Sequence, residues 1–403
     1  MRTTDTIIVG GGQAGLSLSR YLARAGHPHA VLERGRIGER WRSERWDSLR
    51  LLTPNWLNRL DGGEAHADPD GYLSRVGFVD SLRRYARAAG APVQEHVTVR
   101  SVERWGAGFH VATDAGEWRT RVLVVATGDS ADPRFPSFGE AAPRQLRQLH
   151  ASRYRHPAAL PAGGVLVVGA GPSGQQIAAE LRRSGRRVVL AVGRHARSMR
   201  RYRGRDLWYW LAQLGDLERT IEEVHDPTRA RRTPSLTLSG ANGGEQLDLD
   251  TLQALGVTVT GRLAGFREGK AEFSGDLRAE VDQAERRMHR LLDRIDDHVD
   301  RVHGDRWPAP SDRVRPIEVG AGPAALDLVA NRFSTVIWAT GFRREYPWLH
   351  VPALDAEGEI VQRSGISPVP GLYTLGLKFQ RRRASHFIGG VGADAAYLAR
   401  RIA

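Results

Sequence analysis

Short apolar runs that end on small residues punctuate this chain. Thr6-Ile7-Ile8-Val9 runs into Gly10, and Val122-Leu123-Val124-Val125 into Ala126-Thr127-Gly128. Val165-Leu166-Val167-Val168 likewise meets Gly169, and Thr335-Val336-Ile337-Trp338 meets Ala339-Thr340-Gly341. Such runs predict strands buried on both faces, as in a parallel sheet. Two of them pass straight into helical periodicity. After Gly10, the positions Ala14, Leu18, Tyr21, Leu22 and Ala25 share a face and Gly26 is the stop; after Gly169, a helix over 175–184 stops at Gly185. A second strand follows each helix, at 30–32 and at 188–192. Elsewhere the pattern predicts a helix over 78–89 and a strand over 93–97 that leads into Val97-Thr98-Val99. Alternation over 105–118 about Asp114-Ala115-Gly116 predicts a small antiparallel β-insert. A long helix covers 276–302, with Val281, Met288, Ile295 and Val302 in heptad register beside Leu277, Ala284 and Leu291. Such a stripe reads as a packing or dimer face, which leaves the oligomeric state open with a homodimer as one reading. A closing helix spans 394–402.

Both strand–helix junctions read G-x-G-x-x-G, at Gly10, Gly12, Gly15 and at Gly169, Gly171, Gly174. The three glycines serve a tight turn, close approach of backbone to a pyrophosphate, and close helix–sheet packing. Gln13 and Ala14 open the first helix, and Pro172 and Ser173 the second, each offering free N–H groups to an anion. Glu33 ends the first unit 18 residues after Gly15, where an acid holds ribose hydroxyls, and Arg34 follows it. The second unit instead ends on Gly193-Arg194-His195, with Arg194 20 residues after Gly174, where an arginine accommodates a 2′-phosphate. Arg197, Arg200 and Arg201 stand close behind, which favours NADPH over NADH. The turns begin 159 residues apart, so two Rossmann-like dinucleotide-binding domains are expected. A third apparent fingerprint from Val319 to Ala324 lacks a strand–helix–strand unit of the right length and is rejected.

Composition changes this picture at two points. The formal charge is +13, almost wholly from arginine, since lysine occurs only at 270 and 378. That excess reads as a bias toward arginine, with no nucleic acid or membrane partner expected, and with gripping a phosphorylated cofactor as a sharper use. Zero cysteines excludes disulfide scaffolds, thiolate metal sites and the redox cysteine pair of disulfide reductases. No metal site is expected. The first apolar run belongs to the nucleotide fold rather than to a signal peptide, and the location is read as cytoplasmic.

With these residues in hand, the chain resembles the class B flavin-dependent monooxygenases, especially bacterial flavin-containing monooxygenase-like proteins and plant auxin-forming flavin monooxygenases. The resemblance rests on the two glycine fingerprints, Gly-x-x-Trp at Gly38–Trp41, Leu-Arg-Leu-x-x-Pro at Leu49–Pro54, and Ala-Thr-Gly-Phe at Ala339–Phe342. It implies an α/β fold with an FAD-binding domain at 1–157 and 342–403. An NADPH-binding domain at 158–341 is inserted into it and carries a helical insertion at 276–303. Trp41, Trp46, Leu52 and Thr53 look like a flavin-covering loop, and Val97, Ala126, Thr127, Gly128, Gly376, Phe387 and Ile388 complete the expected flavin contacts. Ala339, Thr340 and Gly341 join the second cradle with Arg194 and His195. The resemblance implies hydride transfer from NADPH to FAD and a flavin C4a-(hydro)peroxide formed with O2. That adduct gives one oxygen atom to a small-molecule amine, sulfide or activated carbonyl. His150 and Tyr154 are candidates for ordering the hinge and nicotinamide, and His386 with Arg383 for steering substrate.

The departures are specific. Of the F-x-G-x-x-x-H-x-x-x-Y/F fingerprint only His150 and Tyr154 survive, with Arg144 and Leu146 in place of Phe and Gly. Leu52 occupies the position of an asparagine that lies near flavin N5 in the animal enzymes. Two rivals therefore stand beside oxygenation: an NADPH:acceptor reductase without oxygen insertion, and a non-catalytic nucleotide-binding sensor.

Overall fold

The structure is a computed structural model that describes every residue except 131, 303, 305 and 306. Its first sheet is built on Arg2–Val9, whose last four residues are all buried. His29–Leu32 and then Val93–Gln94 add in parallel on one side. Gly116–Val125 runs parallel on the other side, in the register Ile7↔Leu123 and Val9↔Val125. This last strand is long because it serves two neighbours along its outer edge. Its first half pairs antiparallel with Gly108–Thr113, and its second half pairs parallel with Leu372–Thr374. Val99–Trp105 and Leu349–His350 extend the antiparallel side. The expected strand over 93–97 is two elements, because the backbone turns at His96 (φ 58°) before the β-insert begins.

Apolar side chains leave this sheet on both faces. Helices Gln13–Arg24, Arg75–Ala88 and Val391–Ile402 cover one face, packing Leu18, Leu22, Phe78, Leu82, Leu398 and Ile402 together. Ile7, Val9, Val111, Trp118 and Val125 face the other way, against Leu349, Val351 and Ile360.

The second sheet is wholly parallel, in the order Thr258–Thr260, Val188–Ala191, Gly164–Val168, Phe333–Trp338, Arg147–His150. Its last strand comes from the chain before residue 158, on the far side of the expected boundary. Leu146 and Leu149 each enter an apolar cluster beside this sheet. Both sheets therefore present the ends of their central strands to a glycine turn.

Helix Leu277–Val302 does not offer its stripe to a second copy. Val281, Ala284, Met288, Leu292, Ile295 and Val299 are buried within the chain, against Leu249, Leu252, Trp210 and Leu211 among others. Only Val302 of the heptad set is exposed, at 47 %. Residue 303, the expected end of this insertion, lies outside the described residues. Among the described residues, no helix is long and apolar enough to cross a membrane.

A stripe consumed internally makes a stability prediction. Ile295 is 0 % exposed, so Ile295→Ala should cost about 2–4 kcal/mol in urea unfolding. Sedimentation should show the parent's oligomeric state. A dissociated assembly at unchanged stability would contradict the internal role.

Candidate functional site

Each glycine turn is set by the strand beside it. Gly10 has φ +116°, and a Cβ on it would stand 2.6 Å from the carbonyl oxygen of Ala126. A Cβ on Gly15 would meet the Gly10 carbonyl oxygen at 2.0 Å, so the helix leaves the turn in direct backbone contact. The second turn repeats this. Gly169 (φ +108°) faces the Ala339 carbonyl oxygen at 2.5 Å, and Gly174 the Gly169 oxygen at 1.8 Å. The hydrogen bonds repeat too. Gly10 N donates to Leu32 O and Gly169 N to Ala191 O, while Ala126 N donates to Val9 O and Ala339 N to Val168 O, all at 2.8 or 2.9 Å. The middle glycines differ from their neighbours, because a Cβ on Gly12 or Gly171 meets nothing within 4 Å. Their smallness answers to no protein atom, which fits a ligand pressed against each helix start.

The first turn opens into a cavity of about 520 Å³, a size ordinary for a cofactor site. Gly10, Gly12, Gln13 and Ala14 line it, as do Glu33, Arg34 and Val97. Trp41, Ala126, Thr127, Gly128, Gly376 and His386 complete the expected set that the structure brings together. Glu33 is held for its role, since its carboxylate accepts from Gly11 N at 2.7 Å and Gly35 N at 2.9 Å. Gln13 Nε2 donates to the His386 carbonyl at 2.9 Å and ties the helix start to the C-terminal segment. The His386 ring is pushed down to about 3 by burial, then by the nearby Lys378 and Arg383 charges, and is neutral near pH 7. Its Nδ1 is buried and has no hydrogen-bond partner among the described residues.

Other expected contacts lie elsewhere. Trp46 is buried in the core beneath the second sheet with Leu49 and Tyr154, and does not line the cavity. The Leu52 carbonyl accepts from Arg200 Nη1 at 2.8 Å and Trp208 Nε1 at 3.2 Å, and Thr53 Oγ1 donates to Asn58 at 2.5 Å. Phe387 packs edge-on against Trp208 at 5.2 Å, and Ile388 is a core residue. His150 also stands apart from the cavity. Its Nε2 hydrogen-bonds the Gly341 carbonyl at 2.9 Å and its Nδ1 accepts from Ser152 N at 3.2 Å, between Phe135 and Phe342. The Tyr154 hydroxyl donates to Glu180 at 2.7 Å, and burial, then that carboxylate, pushes its pKa well above the usual range.

At the second cradle, Gly171 caps helix Pro172–Arg183, with Pro172 and Ser173 in the first turn. Ala339 supplies the carbonyl against Gly169, Thr340 Oγ1 donates to the Arg134 carbonyl, and Gly341 holds His150. Arg194 is exposed, donating to the Arg232 carbonyl at 3.2 Å. His195 is buried and its pKa lowered by that burial, with Nδ1 3.0 Å from the Gly193 carbonyl. The expected support from Arg197 and Arg200 fails. Arg197 is buried between Asp248 (3.3 Å) and Glu285 (2.7 Å), and Arg200 is buried against Asp206 and Tyr72. Arg201 donates to the Gly243 and Gly244 carbonyls. Arg194 and Arg201 keep exposed side chains without a carboxylate partner among the described residues, and of the two only Arg194 stands at the end of the second strand of the unit.

The cavity also gathers residues that sequence reasoning passed over. Arg40 and Arg45 line it, as do Asp129 and Trp348. Arg40 sits inside the Gly38–Trp41 motif and was open to discovery there. Trp348 had no such signal, because only the pairing of Leu349–His350 with Val99–Trp105 brings it in.

Two cradles of one design, each at the ends of parallel strands, have the geometry of dinucleotide sites. The chain belongs to the pyridine nucleotide-disulphide oxidoreductase family, whose profile matches residues 7–226. Within it, the chain is similar in sequence to plant flavin monooxygenases and in fold to bacterial ones. It is 32 % identical over 98 % of its length to the uncharacterized oxidoreductase CzcO-like of Geobacillus kaustophilus, covering 97 % of that protein. Rice (Oryza sativa subsp. japonica) indole-3-pyruvate monooxygenase YUCCA1 is 28 % identical over 92 % of the chain and 86 % of its own. The flavin-containing monooxygenase of Stenotrophomonas maltophilia shares the fold with a TM-score of 0.67 at 20 % identity, covering all of this chain and 98 % of that one.

Two measurements follow from the site. Gly12→Val should fold with the parent's stability to within about 0.5 kcal/mol, because φ is −90° there and no atom obstructs the side chain. Gly15→Val should lose about 1–3 kcal/mol or more, by forcing the helix off Gly10. Equal urea midpoints for the two variants would contradict the contact geometry. The second concerns pH. The folded His386 pKa lies below its unfolded value, so the unfolded chain binds a proton that the folded chain refuses. Stability should fall as pH drops from about 6.5 toward 3, and the fall between pH 7 and pH 5 should be smaller in His386→Gln. Identical slopes would remove His386 from the buried neutral set.

Proposed function

We propose that this protein is a flavoprotein monooxygenase that takes hydride from NADPH onto FAD and inserts one oxygen atom of O2 into a small-molecule substrate. The observation that carries this reading is the repetition of one glycine cradle in a chain with no cysteine. Electrons that reach the first cradle have no thiol to go to, so the acceptor lies outside the protein. FAD, when bound, supplies hydride acceptance and the activation of O2. The chain's part is to bind, orient and exclude water. Gly12 and the N–H groups at the start of Gln13–Arg24 would face the flavin pyrophosphate, and Glu33 the ribose. Gly376 and His386 would border its far end, where a neutral imidazole with a free nitrogen can donate to or accept from substrate without repelling a cation. In the second unit, Gly171–Gly174 would hold the NADPH pyrophosphate and Arg194 its 2′-phosphate. The substrate is a soft amine or sulfide, or an activated carbonyl; the name of the rice relative supports the last.

The test is reconstitution with FAD, followed by oxygen bookkeeping. NADPH should be consumed faster than NADH, and with substrate present, hydrogen peroxide should fall short of NADPH consumed while an oxygenated product makes up the difference. Stoichiometric peroxide with every substrate, and fast turnover with quinones or dyes, would establish the reductase reading instead. Arg194→Gln should raise the KM for NADPH roughly 10- to 100-fold and leave that for NADH unchanged. Equal effects on both nucleotides would remove Arg194 from the 2′-phosphate site.

A further inference from the structure

We propose that Arg40 and Arg45 form a two-guanidinium seat for the pyrophosphate of the flavin dinucleotide, facing the first glycine turn across the cavity. This rests on the proposed function, in that FAD occupies the first cradle. The placement comes from backbone contact. Gly38 N donates to the Gly11 carbonyl at 3.3 Å, so helix Glu39–Ser43 begins against the glycine turn itself. Arg40 and Arg45 consequently line the same cavity as Gly12 and Gln13.

What sets these two arginines apart is how few contacts hold them within the chain: the Glu44 charge lies near both, and Glu33 near Arg40, yet no carboxylate touches either among the described residues. Arg40 Nη1 is sealed from solvent and has no hydrogen-bond partner among the described residues. Arg45 donates once, from Nη1 to the Glu44 carbonyl at 2.8 Å, and its guanidinium lies over Trp41 (5.4 Å) and Phe342 (6.0 Å). The rings fix the guanidinium plane while leaving its other N–H groups unused. Neither arginine forms an ion pair with a carboxylate among the described residues. Burial pulls both pKa values down, that of Arg45 to about 10; the Glu44 charge works against this at each, and the Arg40 charge adds to it at Arg45. Elsewhere this protein pairs its buried arginines, Arg197 with two carboxylates and Arg200 with Asp206. A half-buried guanidinium with no ion-pair partner is unfavourable, and here two line one cavity.

A pyrophosphate diester answers this arrangement. It brings two negative charges to two positive ones, and its oxygens suit the planar fork of a guanidinium. The N–H groups of the glycine turn would grip it from the opposite side. The seat therefore distinguishes FAD, which carries the pyrophosphate, from riboflavin, which carries no phosphate.

The experiment strips the flavin from the full chain and titrates it with FAD, riboflavin and inorganic pyrophosphate. Arg40→Gln and Arg45→Gln should each weaken FAD roughly 10- to 100-fold while riboflavin affinity changes by less than about twofold. Inorganic pyrophosphate should compete with FAD on the parent and not on the double variant. The flavin-free Gln variants should unfold at temperatures no lower than the flavin-free parent, because each loses a half-buried charge that has no ion-pair partner. Arg40→Lys and Arg45→Lys, which keep the charge and lose the fork, should fall between parent and Gln. Unchanged FAD affinity in both Gln variants, or an equal loss for riboflavin, would overturn the seat while leaving FAD binding intact. A parent that binds no FAD would overturn the functional reading beneath it.

Discussion

The structure depends on a backbone contact made twice, a glycine turn pressed against the carbonyl of the neighbouring strand's terminal alanine. At Gly10 and Gly169 a side chain is excluded by Ala126 and Ala339, and at Gly15 and Gly174 by the turn's own first carbonyl. Because these are backbone atoms, no rotamer change relieves them. The contact sets how far each helix stands from its sheet, and hence where its free N–H groups point. It also explains why Ala-Thr-Gly recurs at 126–128 and 339–341. Alanine is small enough to let its carbonyl approach, and the following positive-φ glycines, at +75° and +82°, turn the chain away from the cradle.

The two units are joined by side chains whose charges are fully engaged. Arg200 leaves the second unit, pairs with Asp206, stacks on Tyr72 at 4.7 Å and donates to the Leu52 carbonyl of the first. Tyr72 returns the link by donating to Asp206 at 2.8 Å. Trp208 adds a second donor to Leu52. This clamp acts on the backbone at Leu52, the position that the family resemblance would match to an asparagine. The loop is thus fixed by donors arriving from the nucleotide unit, and a leucine can stand there. His150 does comparable work at the chain's crossing point, a neutral ring joining the end of one strand to Gly341 at the end of another.

Legibility followed the range of the interactions. The glycine turns, their helices and the strand-ending Glu33 depend on residues within one unit, where apolar periodicity and turn chemistry are strong. They stand where the pattern put them, and the heptad helix does too. What that helix packs against was illegible, because the partners Leu249, Leu252, Trp210 and Leu211 lie far away in the chain. The same limit applied to the arginines. In sequence, Arg194, Arg197 and Arg200 are one basic run; in space, Asp248, Glu285 and Asp206 claim two of them. Trp46 shows the converse error. A tryptophan beside a cofactor motif looked like a lid, yet its ring belongs to the core under the second sheet. Arg40 was missed for the opposite reason, since a charged residue inside a short motif resembled the background of an arginine-rich chain.

Two cradles so alike need something to tell them apart, and the difference lies in the residue that follows the second strand of each unit. Glu33 is held by two backbone N–H groups, one of them from the glycine turn itself, so its carboxylate is oriented before any nucleotide arrives. A phosphate on the ribose would meet that fixed negative charge, which favours a nucleotide with free hydroxyls. Arg194 stands at the matching place in the second unit as an exposed guanidinium with one long hydrogen bond to a carbonyl. Such a group would suit a phosphate better than a bare ribose. The asymmetry is therefore one of charge set on a common geometry. On the proposed function it would also give direction, with the reductant beside Arg194 and the acceptor beside Glu33.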